Sequence, residues 1–420
     1  MMVKSVLIVG VGAREHALVW KLCQECETVY CTPGNPGIAQ IVTCFDVKAS
    51  DFAAIIALVK EHDIELVVVG PEDPLVDGLA DSLRAEGILC YGPGAAGAEL
   101  EGSKAFAKRL MLQAGVPTAR FASFAEAKLA QEFASDLCSS GNGIVVKASG
   151  NALGKGVRVC ADQDEAFEVI NDMLVRRIYG EAGATIVVEE RLYGPEFSLL
   201  TICGDQNFHS LPVAQDYKRA YDGDRGPNTG GMGSISPAGW VTPELIARTE
   251  ETVVAPILAA LREQGISFRG TLFSGLLVQN GNPYCLEYNV RFGDPETQSV
   301  MRRLGSGFLR ALTQAASGDL IEPVEVSEEA CVSVVLASGG YPGPFERGLP
   351  MAISAPTKDS GVVVFHAGTR LEGGQVVTNG GRVVTISATA PTPAEARERA
   401  YAGIDLVQFA DREYRTDIGR

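Results

Sequence analysis

Over the first 120 or so residues, short β-branched runs alternate with helix-like stretches. Residues 6–9 predict a strand, 13–23 a helix, 28–31 a strand, 51–61 a helix, and Leu66-Val67-Val68-Val69 a third strand. Gly70-Pro71-Glu72 then leads into a helix through Arg84. A strand that is apolar on both faces has to be covered on both, which is βαβ logic: buried parallel strands carry ligand loops at their carboxyl ends.

A chain of 420 residues exceeds what one core sustains, so about two to four domains are expected. The pattern divides it into a parallel α/β unit over 1–120, a small α+β lid over 121–193, a central unit over 194–323 and a C-terminal α+β unit over 324–420. The lid carries strands at 143–148, 156–159 and 185–190 and a helix at 165–174; the last unit carries strands at 331–337, 361–366 and 382–387 and a helix at 393–402. The fold class is multidomain, α/β plus α+β.

A formal net charge of −16 argues against a nucleic-acid partner, because such surfaces are basic. It leaves room for a phosphorylated metabolite, whose pocket needs a few local cations. The ten cysteines are too sparse for a disulfide scaffold and read as core thiols of a reducing compartment; Cys23 and Cys26 have CxxC spacing but no second pair. No apolar run is long enough to cross a bilayer, so a cytoplasmic protein without a membrane partner is expected, as a monomer or weak homodimer.

Five constellations carry possible chemistry. Gly10-Val11-Gly12-Ala13-Arg14-Glu15-His16 follows a strand and opens a helix, where backbone N–H groups can receive an anion. Glu15 stands where the dinucleotide fingerprint has its third glycine, which disfavours NAD or FAD, and a plain tight turn with Arg14 in solvent uses the same residues. Lys147-Ala148-Ser149-Gly150-Asn151-Ala152-Leu153-Gly154-Lys155-Gly156 sets a strand lysine before a glycine loop with a second lysine. That suits ATP phosphates, although the order is not that of a P-loop and a hairpin with surface lysines reads alike. In Val187-Val188-Glu189-Glu190, strand alternation lets only one of the two acids face a ligand. Glu287, Asn289 and Arg291 recur every second residue, so one strand face offers a carboxylate and an amide oxygen, hard ligands for Mg²⁺, beside a guanidinium that can steady a phosphoryl group. The polar loop from Gln215 through Asp216 to Gly226-Pro227-Asn228-Thr229-Gly230-Gly231-Met232-Gly233 is costly to order without a ligand and looks like an anion-cradling backbone nest, its plain alternative being a surface excursion. His209 and His366 sit among apolar neighbours as packing residues.

These residues resemble the phosphoribosylamine–glycine ligases (glycinamide ribonucleotide synthetases) of the ATP-grasp superfamily. The likeness spans the chain: Gly-x-Gly-x-Arg-Glu-His-Ala at 10–17, Pro33-Gly34-Asn35, Val69-Gly70-Pro71-Glu72, Leu100-Glu101-Gly102-Ser103-Lys104, the Gly226–Gly233 run, Arg291-Phe292-Gly293-Asp294-Pro295-Glu296 and Val377-Thr378-Asn379-Gly380-Gly381-Arg382. The resemblance implies an ATP-grasp fold with a Rossmann-like parallel N-terminal domain and a β-rich C-terminal domain. It implies de novo purine biosynthesis: ATP-dependent ligation of glycine to 5-phosphoribosylamine through glycyl phosphate, with Mg²⁺ or Mn²⁺. By likeness, ATP lies between the lid and the central unit against Lys104, Lys147, Gly154, Lys155, Gly156, Glu189, Glu190, Leu192 and Glu196. Glu287 and Asn289 hold the metal. Gly10, Gly12, Arg14, Glu15, His16, Asn35, Asp216 and the stretch Pro227, Asn228, Thr229, Gly230, Gly231 and Met232 form the phosphoribosylamine site. Arg291 and Asp294 lie near glycine and the acyl phosphate, and join Lys147 and Lys155 as catalytic residues.

The chain departs from the family pattern at Ser149, Asn151 and Leu153 in the glycine loop, and at Ala13, where a glycine is usual. Two other readings fit the residues: an ATP-grasp ligase for a different acid or amine, and a noncatalytic nucleotide-binding regulator that keeps the fold.

Overall fold

In the computed structural model, residues 3–139, 141, 143–151 and 156–420 are described. Strands Ser5–Gly10, Thr28–Pro33, Thr43–Cys44, Leu66–Val69 and Leu89–Tyr91 form a wholly parallel sheet, in the spatial order third, second, first, fourth, fifth. Its central strands bury both faces. Leu7, Val9, Val67 and Val69 enter one apolar core, while Val6, Ile8, Leu66 and Val68 enter another. Strand order reverses between Ser5–Gly10 and Leu66–Val69, so a crevice opens at their carboxyl ends, beside Gly10 and Gly70, where ligands bind in such sheets. The helix expected through Arg84 is broken into Glu72–Val76 and Leu79–Ala85, because Gly78 at φ 90° turns the chain between them.

Strands Phe121–Phe124, Ile186–Glu190, Ile144–Ala148 and Val157–Cys160 form an antiparallel sheet. Helices Ala127–Ser139 and Gln163–Leu174 cover one face, burying Ile144, Val146, Ala148, Ile186 and Val188 with Ala130, Ala134 and Ile170. Strand alternation therefore sends Lys147 and Glu189 to the opposite face.

The next sheet is also antiparallel, with strands Phe208–Ser210, Glu196–Cys203, Gly270–Gln279 and Asn282–Asn289. Its last hairpin turns on Asn280-Gly281, both left-handed (φ 52° and 74°), the preferred two-residue turn between twisted strands. A bulge sets Gly275 opposite Glu287 but Leu276 opposite Cys285, so Leu286 has no partner across the ladder.

The C-terminal sheet runs Gln215–Asp216, Gly233–Ser236, Ala330–Ser338, Arg382–Ala390, Val362–His366, with Arg412–Glu413 also on Ala330–Ser338. Helix Pro393–Gly403, capped by the Thr392 hydroxyl on the Glu395 N–H, packs Ala396 and Ala400 against it. Two of its strands thus come from the polar glycine-rich stretch. Among the described residues no helix is long and apolar enough to cross a membrane.

Candidate active site

Lys147 and Glu189 meet because their strands pair. The Lys147 Nζ lies 2.5 Å from Glu189 Oε1, and Lys108 Nζ, from helix Lys104–Gln113, lies 2.6 Å from Glu189 Oε2. All three side chains are buried. Burial pushes the Glu189 carboxyl up, but the two lysines outweigh it and hold it below the usual range. Lys147 also donates to the carbonyl of Leu286, the bulged residue (3.1 Å), and Lys108 to the Thr118 hydroxyl (2.7 Å). Glu190, on the other face, accepts from the Arg120 N–H at 2.9 Å.

Ser149, where the family pattern has an acid, is buried and holds the start of the helix that carries Lys104 and Lys108. Its carbonyl accepts from the Lys104 N–H (2.8 Å) and its hydroxyl from the Ala105 N–H (3.0 Å). Asn151 donates to Asp73 of the first unit at 2.7 Å. The Gly156 carbonyl accepts from the Ala148 N–H at 2.8 Å, while Ala152, Leu153, Gly154 and Lys155 lie outside the described residues. Leu192 is half-buried in the loop before strand Glu196–Cys203, and the Glu196 carboxylate opening that strand sits 3.2 Å from Lys218 Nζ.

Glu287 stands in a different setting. Burial pushes its carboxyl up, yet Lys218, Lys147, Lys104 and Arg291 outweigh this and hold it ionised. Among the described residues none of these cations is within ion-pair distance of it. Its neighbour Asn289, oriented by its surroundings, turns its amide nitrogen to Glu101 Oε1 (3.1 Å) and the Tyr288 carbonyl (3.3 Å). That leaves the amide oxygen and the Glu287 carboxylate as hard donors on one strand face, a set that suits Mg²⁺. Glu101 holds three successive residues: it also accepts from the Val290 N–H (2.8 Å) and pairs with Arg291 (2.8 Å). Arg291 reaches Glu72 on its other side, at 3.3 Å. Burial would raise the Glu72 pKa, but Arg291 and Arg14 bring it down to about 2.

At the crevice of the parallel sheet a cavity of about 320 Å³ is lined by Gly10, Gly12, Arg14, Lys48 and, from the central unit, Asp294. The Glu15 carboxylate folds back into the loop, accepting from the Gly12 N–H (2.6 Å) and pairing with Arg14 (2.5 Å). A side chain at Gly10 or Gly70 would collide with it. Arg14 donates in turn to the Phe292 carbonyl at 3.2 Å, which fastens the loop to the Arg291–Asp294 segment. Asp294 is held by Gln298 (2.7 Å) and Arg382 (3.3 Å).

His16 points away from this cavity. Its Nδ1 accepts from the His366 N–H (2.9 Å), and burial, with His366 beside it, lowers its pKa to about 3. Asn35 spends its amide on the backbone, donating to the Val11 and His366 carbonyls (2.8 and 2.9 Å) and accepting from Gly37 and Ile38. Both brace the cavity wall against the C-terminal unit.

The Gly-Gly-Met loop differs from the expected backbone nest. The N–H groups of Thr229, Gly230, Gly231 and Met232 already donate to the Lys218 carbonyl, the Tyr341 hydroxyl, the Thr229 hydroxyl and the Tyr217 carbonyl. Arg382 clasps the loop through the Gly230 carbonyl (2.5 Å) and the Asp294 carbonyl (2.8 Å). Pro227 and Asn228 lie in the short hairpin strand Arg225–Asn228. Asp216 has its Oδ1 buried without a hydrogen-bond partner, and burial and the neighbouring Glu296 push its carboxyl well up. An orphaned buried oxygen beside Gly231 fits a ligand donor.

Lys108, Lys218, Glu101, Glu72 and Arg382 were thus not expected as site residues. A larger, open hollow of about 430 Å³ around Met351, Gln375 and Phe409 has no charged side chain in its lining.

Family models match almost the whole chain: the phosphoribosylglycinamide synthetase N domain over residues 4–101, its ATP-grasp (A) domain over 102–297 and its C domain over 331–420. The chain belongs to the phosphoribosylamine–glycine ligase family. The phosphoribosylamine–glycine ligase of Brucella melitensis biotype 1 is 45% identical over 99% of this chain and 97% of its own length. The crystal structure of phosphoribosylamine–glycine ligase from Thermotoga maritima superposes with a TM-score of 0.86 at 34% identity, covering 98% of this chain and 99% of that one. The biotin carboxylase domain of Hydrogenobacter thermophilus 2-oxoglutarate carboxylase, solved with MgADP and bicarbonate, shares the fold at 17% identity (TM-score 0.75, 99% and 92% covered). The chain is therefore an ATP-dependent ligase with an ATP-grasp fold on a parallel N-terminal sheet.

Proposed function

We propose that this ligase joins glycine to 5-phosphoribosylamine in purine biosynthesis, through glycyl phosphate, and that Glu287 and Asn289 hold the divalent cation, Mg²⁺ or Mn²⁺, at the outer phosphates of ATP. The observation that carries the reading is Glu287: an ionised carboxylate surrounded by Lys218, Lys147, Lys104 and Arg291 and paired with none of them. A cup of cations around one uncommitted carboxylate matches a metal-bound polyphosphate, which brings both signs of charge at once. When bound, the cation screens the phosphates and polarises the phosphoryl group.

Lys147, fixed by Glu189, and Lys104 present ammonium groups to the phosphates. In this reading Glu196 takes the ribose hydroxyls and the chain from Glu189 to Leu192 the base. A glycine carboxylate oxygen attacks the outer phosphorus, ADP leaves, and the carbonyl gains a good leaving group. The amine of phosphoribosylamine then attacks that carbon, expelling phosphate and losing a proton. Arg291, its guanidinium braced between Glu72 and Glu101, steadies the charge on the acyl phosphate. Asp294 faces the glycine end. The Gly10–Gly12 loop, Arg14 and Glu15 form the phosphoribosylamine pocket, braced by His16 and Asn35, with Asp216 and the 227–232 loop as its far wall. Water exclusion by the 121–193 lid over the 194–323 unit preserves the acyl phosphate.

The test is oxygen tracing. With glycine labelled by ¹⁸O in its carboxylate and phosphoribosylamine generated during the assay, one label per turnover should reach inorganic phosphate. Product without label in phosphate would exclude glycyl phosphate; ATP binding without glycine-dependent ADP release would identify a noncatalytic regulator.

A further inference from the structure

We propose that Cys31 and Cys44 are an oxidisable dithiol, closed to a disulfide by a hydroperoxide, and that closure loosens the substrate cavity above it. The second half of this statement rests on the proposed function; the first does not.

The two cysteines are direct partners on adjacent parallel strands, Thr28–Pro33 and Thr43–Cys44. Neighbouring strands stand about 4.7–4.9 Å apart, within the roughly 4.4–6.8 Å of Cα separation that a disulfide spans. Register partners in a parallel pair point to the same face, and here both sulfurs converge under one residue. A Cβ built on Gly34 would lie 2.6 Å from the Cys44 Sγ and 3.6 Å from the Cys31 Sγ. Cys31 is fully buried, whereas Cys44 is half-buried and within reach of a small oxidant. The proximity of the two thiols pulls the Cys44 thiol down and pushes Cys31 up, so that Cys44, whose S–H otherwise donates to the Val42 carbonyl (3.9 Å), is the nucleophile of the pair. The CxxC-spaced thiols behave otherwise: burial raises Cys23 to about 11 and raises Cys26 as well.

The dithiol lies beneath the cavity turn. The Cys31 S–H donates to the Gly10 carbonyl oxygen, 3.6 Å from its Sγ. That carbonyl also accepts from the Gly34 N–H (3.0 Å), Pro33 lines the cavity, and the Asn35 amide grips the Val11 carbonyl at 2.8 Å. Closing the disulfide removes the S–H and draws on the chain that holds Gly10 to Gly12.

In the first step the Cys44 thiolate sulfur attacks a peroxide oxygen. The O–O bond breaks, the sulfur becomes a sulfenic acid, and the departing hydroxide takes up the thiol proton as water when the peroxide is H₂O₂. The Cys31 sulfur then attacks the sulfenic sulfur; the S–S bond forms, and the second hydroxide leaves with the Cys31 proton as water. Two electrons pass from the sulfurs to the peroxide.

The experiment treats the full chain with hydrogen peroxide, maps peptides by mass spectrometry, and measures the KM for phosphoribosylamine before and after, with dithiothreitol reversal. A Cys31–Cys44 linked peptide is expected, absent in Cys44→Ser, whose activity before oxidation is unchanged. Oxidation should raise the KM by roughly 2- to 10-fold, the worth of one neutral hydrogen bond, in wild type and not in Cys44→Ser. If peroxide leaves Cys31 and Cys44 unlinked while other thiols oxidise, the dithiol is refuted. If they link with no change in KM, the coupling to the cavity is refuted. A reduced enzyme that makes no glycine-dependent product would instead strike at the proposed function and leave the dithiol standing.

Discussion

Glu189 is buried and Glu287 half-buried, both among lysines, yet they do opposite things. Glu189 has each carboxylate oxygen against an ammonium, at 2.5 and 2.6 Å, so its charge is spent on holding Lys147 and Lys108. Glu287 feels four cations and touches none within ion-pair distance among the described residues. A carboxylate ion-paired through both oxygens positions its neighbours, whereas one kept ionised with no ion pair is prepared for something that comes and goes.

The contrast breaks most sharply at Glu189→Ala, which strands two buried lysines. Stability should fall by about 3–5 kcal/mol, read from urea unfolding; a loss as small as that of an exposed acid would show that the lysines repair each other. Glu287→Gln should behave inversely. Its turnover should drop roughly 100-fold or more, as expected when several kcal/mol of metal polarisation are lost, with a smaller change in the unfolding midpoint than Glu189→Ala; near-normal turnover in saturating Mg²⁺ would remove Glu287 from the metal site. Glu101→Gln tests the brace on the proposed metal ligand Asn289. The Mg²⁺ concentration for half-maximal rate should rise by about 10-fold, the usual effect of losing a partner that orients a metal ligand, and an unchanged requirement would reduce Glu101 to packing.

Glu72 is the mild case, tied to Arg291 and Arg14 and brought down to about 2. A carboxyl whose folded pKa is depressed adds stability above its unfolded pKa and loses it as pH falls through the folded value. Acid titration of stability from the ordinary carboxylate range down toward pH 2 should therefore be shallower in Glu72→Gln than in wild type. Parallel curves would mean that the arginines do not discriminate its ionised form.

The parallel sheet was legible because runs such as 66–69 are apolar at every position, and the strands Ile144–Ala148 and Ile186–Glu190 because Lys147 and Glu189 alternate with core residues on them. The partners of those residues were not. Lys108 comes from a helix distant in sequence, and its four-residue spacing from Lys104, which puts both on one helix face, was the available signal. Nothing local marks Glu101 as the residue that gathers Asn289, Val290 and Arg291. The glycine-rich loop misled for a similar reason. Its N–H groups look free in sequence, but Tyr341 and Arg382 arrive from the C-terminal sheet to close it, and Gly-Ser-Ile-Ser at 233–236 has too little apolar alternation to read as a strand of that sheet.

Manganese binding to the nucleotide-loaded protein, followed by electron paramagnetic resonance, tests the metal assignment most directly. Glu287→Gln should weaken Mn²⁺ by about 10-fold or more, while Cys44→Ser, remote from the metal, binds as wild type does. Equal Mn²⁺ affinity in wild type and Glu287→Gln would place the cation elsewhere and contradict the account.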